Sequence, residues 1–300
     1  MTMHAGQLAI TVEVVRDLVA DQFPEWRKLS ISPVASEGTV NAIFRLGDGL
    51  AARLPIQPGD VGATRRWLQS EADAARTLRS HTRVPVPEPV AIGAPGAGYP
   101  MPWSVQTWLP GTTASQRDPS ASTEFAHDLA AFIEDVRAID VCGRTFAGPG
   151  RGGDLRSHDE WMLVCMKHSE QLLDVRRIRR VWARMRTLPR ESSDVMNHGD
   201  LIPGNVLVSN ARLAGILDVG GLGPADPALD LVGAWHLLDT EPRRRFRAIL
   251  RSDDLEWERG KAWAFEQAMG AVWYYVSSNP AMSRMGRRTI ERILADEPTR

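Results

Sequence analysis

The sequence predicts an α+β fold in two parts: a small antiparallel sheet with helices over residues 1–108, and a larger, mainly helical part over 109–300. Three observations lead there. Up to residue 108, short strand-like runs alternate with tight turns. Leu109-Pro110-Gly111 then breaks the chain. Beyond the break, apolar residues recur at helical spacing, as in Phe125, Leu129, Phe132, Ile133, Val136 and Ile139.

The elements follow in order. Thr11 to Val19 reads as an amphipathic helix capped by Thr11, whose hydroxyl can accept an otherwise unpaired N–H of the first turn. Leu29–Ala35, Val40–Leu46 and Leu50–Leu54 read as strands. Gly47-Asp48-Gly49 joins the last two as a hairpin turn. A helix is expected from Ala63 to Ser80, and Pro85, Pro87 and Pro89 break the chain after it. Val90–Ile92 and Trp103–Trp108 complete the sheet. In the second part, Phe265, Ala268, Met269, Val272, Trp273 and Val276 form another helical stripe, and both stripes read as core. The Gly-rich, basic stretch Ala147–Ser157 lies between helices and not after a strand, so it is no phosphate loop of the usual kind. It reads as either a mobile surface loop or a substrate-side loop.

Composition narrows the function. The chain has 300 residues, enough for a sizeable core, and 43% are apolar, as in ordinary soluble domains. Thirty-six basic and 37 acidic residues leave a net charge of −1, which gives no case for nucleic-acid binding. No apolar run approaches 18 residues, so no membrane span is expected. The N-terminus lacks a secretory pattern, and Cys142 and Cys165 show no metal spacing. Two reduced thiols in a cytoplasmic protein are expected.

The chemistry concentrates in His198-Gly199-Asp200-Leu201-Ile202-Pro203-Gly204-Asn205 and, thirteen residues after Asn205, Asp218-Val219-Gly220. The Asp-to-Asn offset of five and the downstream Asp-x-Gly have the spacing of a phosphoryl-transfer catalytic loop. Asp200 is positioned to accept the proton of an attacking hydroxyl. Asn205 and Asp218 offer hard oxygen ligands suited to Mg²⁺ on nucleotide phosphates. His198 reads as a buried support for the loop. Val206-Leu207-Val208, the turn Ser209–Arg212 and Leu213–Leu217 read as strand, turn, strand, which sets the two acidic motifs at the ends of one hairpin.

HGDLIPGNVLV, then AGILDVGGLGPADPALDLV, resembles the aminoglycoside/choline-kinase-like phosphotransferase family, most strongly over residues 198–231 and weakly beyond 240. The resemblance implies a two-lobed protein-kinase-like fold, with residues 1–108 as a nucleotide-binding N-lobe and 109–300 as a C-lobe carrying the catalytic loop and acceptor helices. It implies Mg²⁺ with ATP or GTP, and a small-molecule hydroxyl acceptor. It implies that Asp230 anchors the catalytic loop through backbone hydrogen bonds and that Asp226 shapes the same region; Ala225 stands where many members carry Gly. It also implies a cation in the third strand for the phosphates. That cation is Arg53, where members commonly carry Lys or Arg, with Glu71 as its partner. Ser36–Asn41 occupies the place of the nucleotide loop, with Thr39 as a phosphate contact. Gln106, Thr107, Trp108 and Leu109 form the hinge against the purine.

The acceptor is left open between classes. A polycationic aminoglycoside needs clustered carboxylates, and Asp239, Glu241, Asp253, Asp254, Glu256, Glu258 and Glu266 supply candidates. A macrolide needs a broad apolar pocket, and Trp235, Trp257, Trp263, Trp273, Tyr274 and Tyr275 lie in the same segments. The aminoglycoside-like reading leads. A metabolic kinase of choline, homoserine or a sugar, and a non-catalytic nucleotide-binding module, stand as alternatives.

Overall fold

The protein is seen in a computed structural model that describes residues 6–34 and 40–297. The chain divides into two compact units, Met1–Ser80 with Pro85–Pro110, and His81–Val84 with Gly111–Arg300. Among the described residues no helix is long and apolar enough to cross a membrane.

The first unit is a five-stranded antiparallel sheet. Its strands are β1 (Ile31–Pro33), β2 (Asn41–Leu46), β3 (Leu50–Pro55), β4 (Pro89–Gly93) and β5 (Trp103–Thr107), in the order β1-β2-β3-β5-β4. Two helices accompany it, α1 (Val12–Gln22) and α2 (Val61–His81). Thr11 caps α1, its hydroxyl accepting the Val14 N–H at 3.4 Å. The expected first strand shortens to Ile31–Pro33 among the described residues, because Leu29 is still in a turn, its N–H donating to Trp26 O at 2.9 Å. The β2–β3 register pairs Leu46 with Leu50 across Gly47–Gly49, as the turn residues predict.

The core of this unit joins one face of α1 to one face of the sheet. Val15, Leu18 and Val19 pack with Phe44, Leu46, Ala52, Leu54, Tyr99, Met101, Trp103 and Val105. Trp103 is fully buried, and its indole lies where a side chain on Gly93 would stand: a Cβ there would fall 2.2 Å from Trp103 Nε1. Tyr99, between β4 and β5, reaches the end of the central strand β3, its hydroxyl donating to Pro55 O at 2.8 Å.

The second unit is mainly helical. It contains α3 (Thr123–Arg137), α4 (Asp159–His168), α5 (Val175–Met185), α6 (Val232–Leu237), α7 (Thr240–Leu250), α8 (Asp254–Tyr274) and α9 (Pro280–Asp296). Between them lie β6 (Thr112–Thr113), β7 (Val195–Asn197), β8 (Val206–Ser209), β9 (Arg212–Ile216) and β10 (Gly223–Ala225). β6, β8 and β9 form one small sheet, and β7 pairs with β10 in another.

Both helical stripes are core, with corrections at their ends. Phe125, Leu129, Phe132, Ile133 and Val136 are fully buried on α3. Ile139 is buried but outside the helix: α3 stops at Arg137, and Asp140 turns the chain by accepting the Cys142 N–H at 2.7 Å. Phe265, Ala268, Met269 and Val272 are buried on α8. Val276 is exposed beyond the end of α8, because Asn279 starts the next helix by accepting the Met282 N–H at 3.2 Å. The β8–β9 hairpin is as expected, with Asn210 and Ala211 both at positive φ in its turn.

Gly93→Ala forces a methyl into the Trp103 ring. It is expected to destabilise the sheet unit by about 1–3 kcal/mol, seen as an earlier urea midpoint; an unchanged midpoint shows that the Trp103 packing yields without cost.

Candidate active site

The loop between β7 and β8 is held by a buried carboxylate. Asp230 is fully buried, and its two oxygens accept the N–H groups of His198 at 2.7 Å and Gly199 at 2.8 Å. Burial pushes its pKa up, against the opposing pull of His198 and of those two N–H donors. Asn197 answers from the other side, its side-chain oxygen accepting the Asp230 N–H at 3.3 Å. His198 is also fully buried. Its Nδ1 accepts the Asp200 N–H at 3.3 Å and its Nε2 donates to Leu217 O at 3.1 Å, which assigns the ring proton to Nε2. Phe132 meets the ring edge-on at 6.1 Å.

Asp200 follows directly on this anchored turn, with its side chain one-third exposed. Asn205 Nδ2 donates to Asp200 Oδ2 at 2.9 Å and to Asp200 O at 3.0 Å. Both partners are acceptors, so the amide nitrogen must face them and the amide oxygen turns the other way. The hairpin then brings the second motif back. Val206 pairs with Ile216, and Leu217 N–H donates to Asn205 O at 2.7 Å. Asp218 is the next residue, exposed and in the left-handed region at φ 54°. Among the described residues no group of three or more His, Cys, Asp and Glu is arranged to hold a metal ion. The donors here are instead one amide oxygen and one carboxylate. That set fits Mg²⁺, which keeps most of its shell as water and substrate phosphate oxygens.

The Gly-rich stretch is anchored. Asp226 and Arg259 form an ion pair buried on both sides, Arg259 Nε to Asp226 Oδ2 at 2.6 Å. The rest of that guanidinium donates to Leu188 O, Pro189 O and Gly153 O at 2.9, 3.1 and 3.1 Å. Asp226 N–H donates to Gly152 O at 3.0 Å. Gly152 sits at φ 106°, where a Cβ would stand 2.7 Å from Ala225 Cβ, so only glycine allows this approach. His158 joins Gly150 O at 3.3 Å through Nε2 and Glu266 at 2.9 Å through Nδ1. Pinned on both sides, the loop presents Arg151, whose Nη2 lies 3.2 Å from Asp200 Oδ1.

A third donor reaches Asp200 from α8, Gln267 Nε2 to Asp200 Oδ1 at 2.7 Å. Gln267 Oε1 accepts from His236 Nε2 at 3.0 Å, and His236 Nδ1 accepts from Thr289 at 2.9 Å. Burial pulls the His236 pKa down to about 4, so the ring is neutral and can accept from Thr289. Arg151, Gln267 and Arg259 escaped the sequence reading. Their contacts span 49, 67 and 33 residues, and the only local hint was the run of glycines around Arg151.

The acids of the C-terminal third are dispersed. Asp239 pairs with Arg292, Glu256 with Arg137, Glu258 with Lys261, Asp254 with Arg247 and Glu266 with His158. Glu241 lies near Arg244 and Arg245, and Asp253 caps α8 by accepting the Glu256 N–H at 2.8 Å. Trp235, Trp257 and Trp263 are core. α8 is buried from Arg259 to Glu266, then reaches the surface at Gln267, Gly270, Trp273 and Tyr274.

In the first unit, Arg53 and Glu71 meet in a two-pronged pair, Nη1 to Oε2 at 3.2 Å and Nη2 to Oε1 at 3.3 Å. Thr107 N–H donates to Glu88 O at 2.9 Å and Trp108 N–H to Gly49 O at 2.8 Å, so these two donors are spent within the unit. Gln106 pairs with Ala51 of β3, and Leu109 follows β5. Thr39 lies outside the described residues. Cys142 and Cys165 are free thiols, the second buried with its pKa pushed up to about 12 by burial.

Two measurements probe these anchors. Arg259→Met strands the Asp226 carboxylate in the interior and is expected to cost about 3–5 kcal/mol in chemical unfolding; a loss below 1 kcal/mol means that water reaches the pair. The hydrogen bond to Glu266 raises the His158 pKa. A raised histidine pKa gives stability that is complete below the unfolded value of about 6.5 and is lost as pH rises through the folded value. The melting-temperature gap between wild type and His158→Gln should therefore be widest in mild acid and shrink toward alkaline pH. A gap that widens with pH contradicts the assignment.

The profile of a phosphotransferase enzyme family matches residues 33–263. An aminoglycoside 3'-phosphotransferase of Escherichia coli is 29% identical over 143 residues, which are 45% of this chain and 52% of that protein. One from Streptomyces fradiae is 30% identical over 187 residues, 58% of this chain and 66% of that protein. The chain thus spans about half the length of the Escherichia coli relative. Among solved structures, the GDP complex of an aminoglycoside 2'-phosphotransferase superposes with a TM-score of 0.71 at 19% identity, over 96% of this chain and all of that one. A macrolide 2'-phosphotransferase from Brachybacterium faecium gives 0.62 at 17%, over 96% of this chain and all of that one. The fold is therefore the two-lobed, kinase-like fold of these enzymes, and the chain belongs to the phosphotransferase enzyme family.

Proposed function

We propose that the protein is a small-molecule O-phosphotransferase that moves the γ-phosphoryl group of a Mg-nucleotide, ATP or GTP, to a hydroxyl of an aminoglycoside-like antibiotic. The observation that carries this reading is Asp200: a partly exposed carboxylate on an anchored turn, with Asn205 bonded to it. Asp200 accepts the proton of the attacking hydroxyl and orients that hydroxyl for in-line attack. Asn205 and Asp218 are the oxygen donors that would hold Mg²⁺, which when bound neutralises charge on the nucleotide phosphates. Arg53, braced by Glu71, is assigned to the nucleotide phosphates, where its fork can engage two oxygens. His198, Asp226 and Asp230 support the loop. Thr39, Gln106, Thr107, Trp108 and Leu109 are assigned to the nucleotide, with Thr107 and Trp108 acting through groups other than their N–H.

One observation favours a second reading, a macrolide-type acceptor. The C-terminal acids are tied to separate cations or a helix cap, so they form no ready cluster for a polycation. The accessible stripe of α8 instead runs from Gln267, at Asp200, to Tyr274, with the Trp161 ring against Gly270. That surface suits an acceptor with an apolar face.

Phosphate transfer to kanamycin, erythromycin and choline, with ATP and GTP side by side, tests the reading. Turnover on kanamycin supports it, turnover on erythromycin alone favours the second reading, and turnover on choline alone points to a metabolic kinase; no transfer and no nucleotide hydrolysis sinks it. Asp200→Asn is expected to lower kcat by about 10²–10⁴-fold while nucleotide binding persists, and retained turnover refutes the role of Asp200. Arg53→Ala is expected to raise the nucleotide KM by about tenfold or more, and an unchanged KM removes Arg53 from the site.

A further inference from the structure

The Gly-rich loop is more firmly built than a connector needs. Gly150 O meets His158, Gly152 O accepts the Asp226 N–H and Gly153 O accepts from Arg259. These anchors bracket Arg151, while Arg151 itself keeps a quarter of its side chain exposed. Its Nη2 donates to Asp200 Oδ1 at 3.2 Å and approaches Gly199 O at 3.5 Å.

A single ion pair open to water on one side adds little to a loop already fixed by its carbonyls. Stability therefore does not explain why a guanidinium is delivered there. Phosphoryl transfer does. Charge spreads over the moving phosphoryl oxygens beside the attacking hydroxyl, and a guanidinium presents five N–H donors in a planar fork. Asp200 and Gly199 engage one nitrogen of that fork.

Resting on the phosphotransferase reading, we propose that Arg151 is a further catalytic residue, a charge partner of the transferring phosphoryl group supplied by the Gly-rich loop of the same chain. The acceptor hydroxyl gives its proton to Asp200, and its oxygen forms a bond to the γ-phosphorus. The bond from that phosphorus to the bridging oxygen breaks, and the nucleoside diphosphate leaves with the electron pair. Arg151 donates to the phosphoryl oxygens during the exchange and returns to Asp200 afterwards.

The test uses the full chain with Mg-ATP and Mg-GTP, following phosphate transfer to kanamycin and to water. Arg151→Ala is expected to lose about 10²–10³-fold in kcat, as when one transition-state donor is removed, with the nucleotide KM within about threefold of wild type. Arg151→Lys should fall between the two, because it keeps the charge without the fork. Free guanidinium, at concentrations far below those that unfold the chain, should restore part of the rate of Arg151→Ala and none of that of Asp200→Asn. A merely structural arginine predicts no such rescue, and a lowered melting temperature in step with the lost rate. Wild-type kcat in Arg151→Ala, or loss without rescue, overturns the proposal while leaving the phosphotransferase reading intact. A wild-type protein that transfers phosphate to no acceptor and hydrolyses no nucleotide overturns both.

Discussion

The site depends on one buried carboxylate. Asp230 has no exposed surface, and it holds the N–H groups of two consecutive residues, His198 and Gly199. Successive N–H groups in a strand point to opposite sides, so sharing one carboxylate forces the chain to leave β7 at Asn197. Asn197 takes the Asp230 N–H in return and ties Ala225 O at 3.2 Å. The turn is therefore specified from both faces before Asp200 appears. Desolvation disfavours the charged form of Asp230, and its hydrogen bonds oppose that penalty without cancelling it. Loss of either bond leaves a buried acceptor short of a partner.

From that turn the geometry spreads by short steps. Asp200 is one residue beyond Gly199, and Asn205 folds back onto it. Asn205 O holds the Leu217 N–H, which sets Asp218 at the same end of the hairpin. The exposed, left-handed conformation of Asp218 is rare for a non-glycine residue and is paid for by the hairpin and the turn behind it. The oxygen-bearing groups at 200, 205 and 218 thus share one end of one hairpin, and the bonds that link them, Asn205 Nδ2 to Asp200 and Leu217 N–H to Asn205 O, are local in the chain, beyond the turn that Asp230 holds.

That locality explains what was legible in the sequence. The strands, the hairpin turn at Gly47–Gly49 and the α3 and α8 stripes follow from periods of two and 3.6, which neighbouring residues encode. The 198–218 constellation was legible for the same reason. Element ends were less so: Ile139 and Val276 continue the apolar rhythm, yet Asp140 and Asn279 end or restart the helices by side-chain bonds that hydropathy does not register. Gln267 and Arg151 were invisible because nothing near them in the chain says that they meet Asp200. The glycines around Arg151 read as either a mobile surface loop or a substrate-side loop, and at Gly152 the missing Cβ serves close docking on Ala225.

The pair Asp226–Arg259 raises a question of purpose. A buried ion pair is weak evidence of stability, since hydrocarbon of equal volume often serves as well. Hydrocarbon, however, offers no donors. Arg259 uses its fork to hold Asp226, Gly153 O, Leu188 O and Pro189 O together, so one side chain on α8 joins β10, the Gly-rich loop and the segment after α5. Leucine or methionine would fill that space and leave three carbonyls, the buried Gly153 O among them, without this donor. The charge is thus best understood as a clamp that sets the loop's position relative to the turn at His198–Asp200. With Asp226 N–H on Gly152 O, that clamp acts within two residues of Arg151.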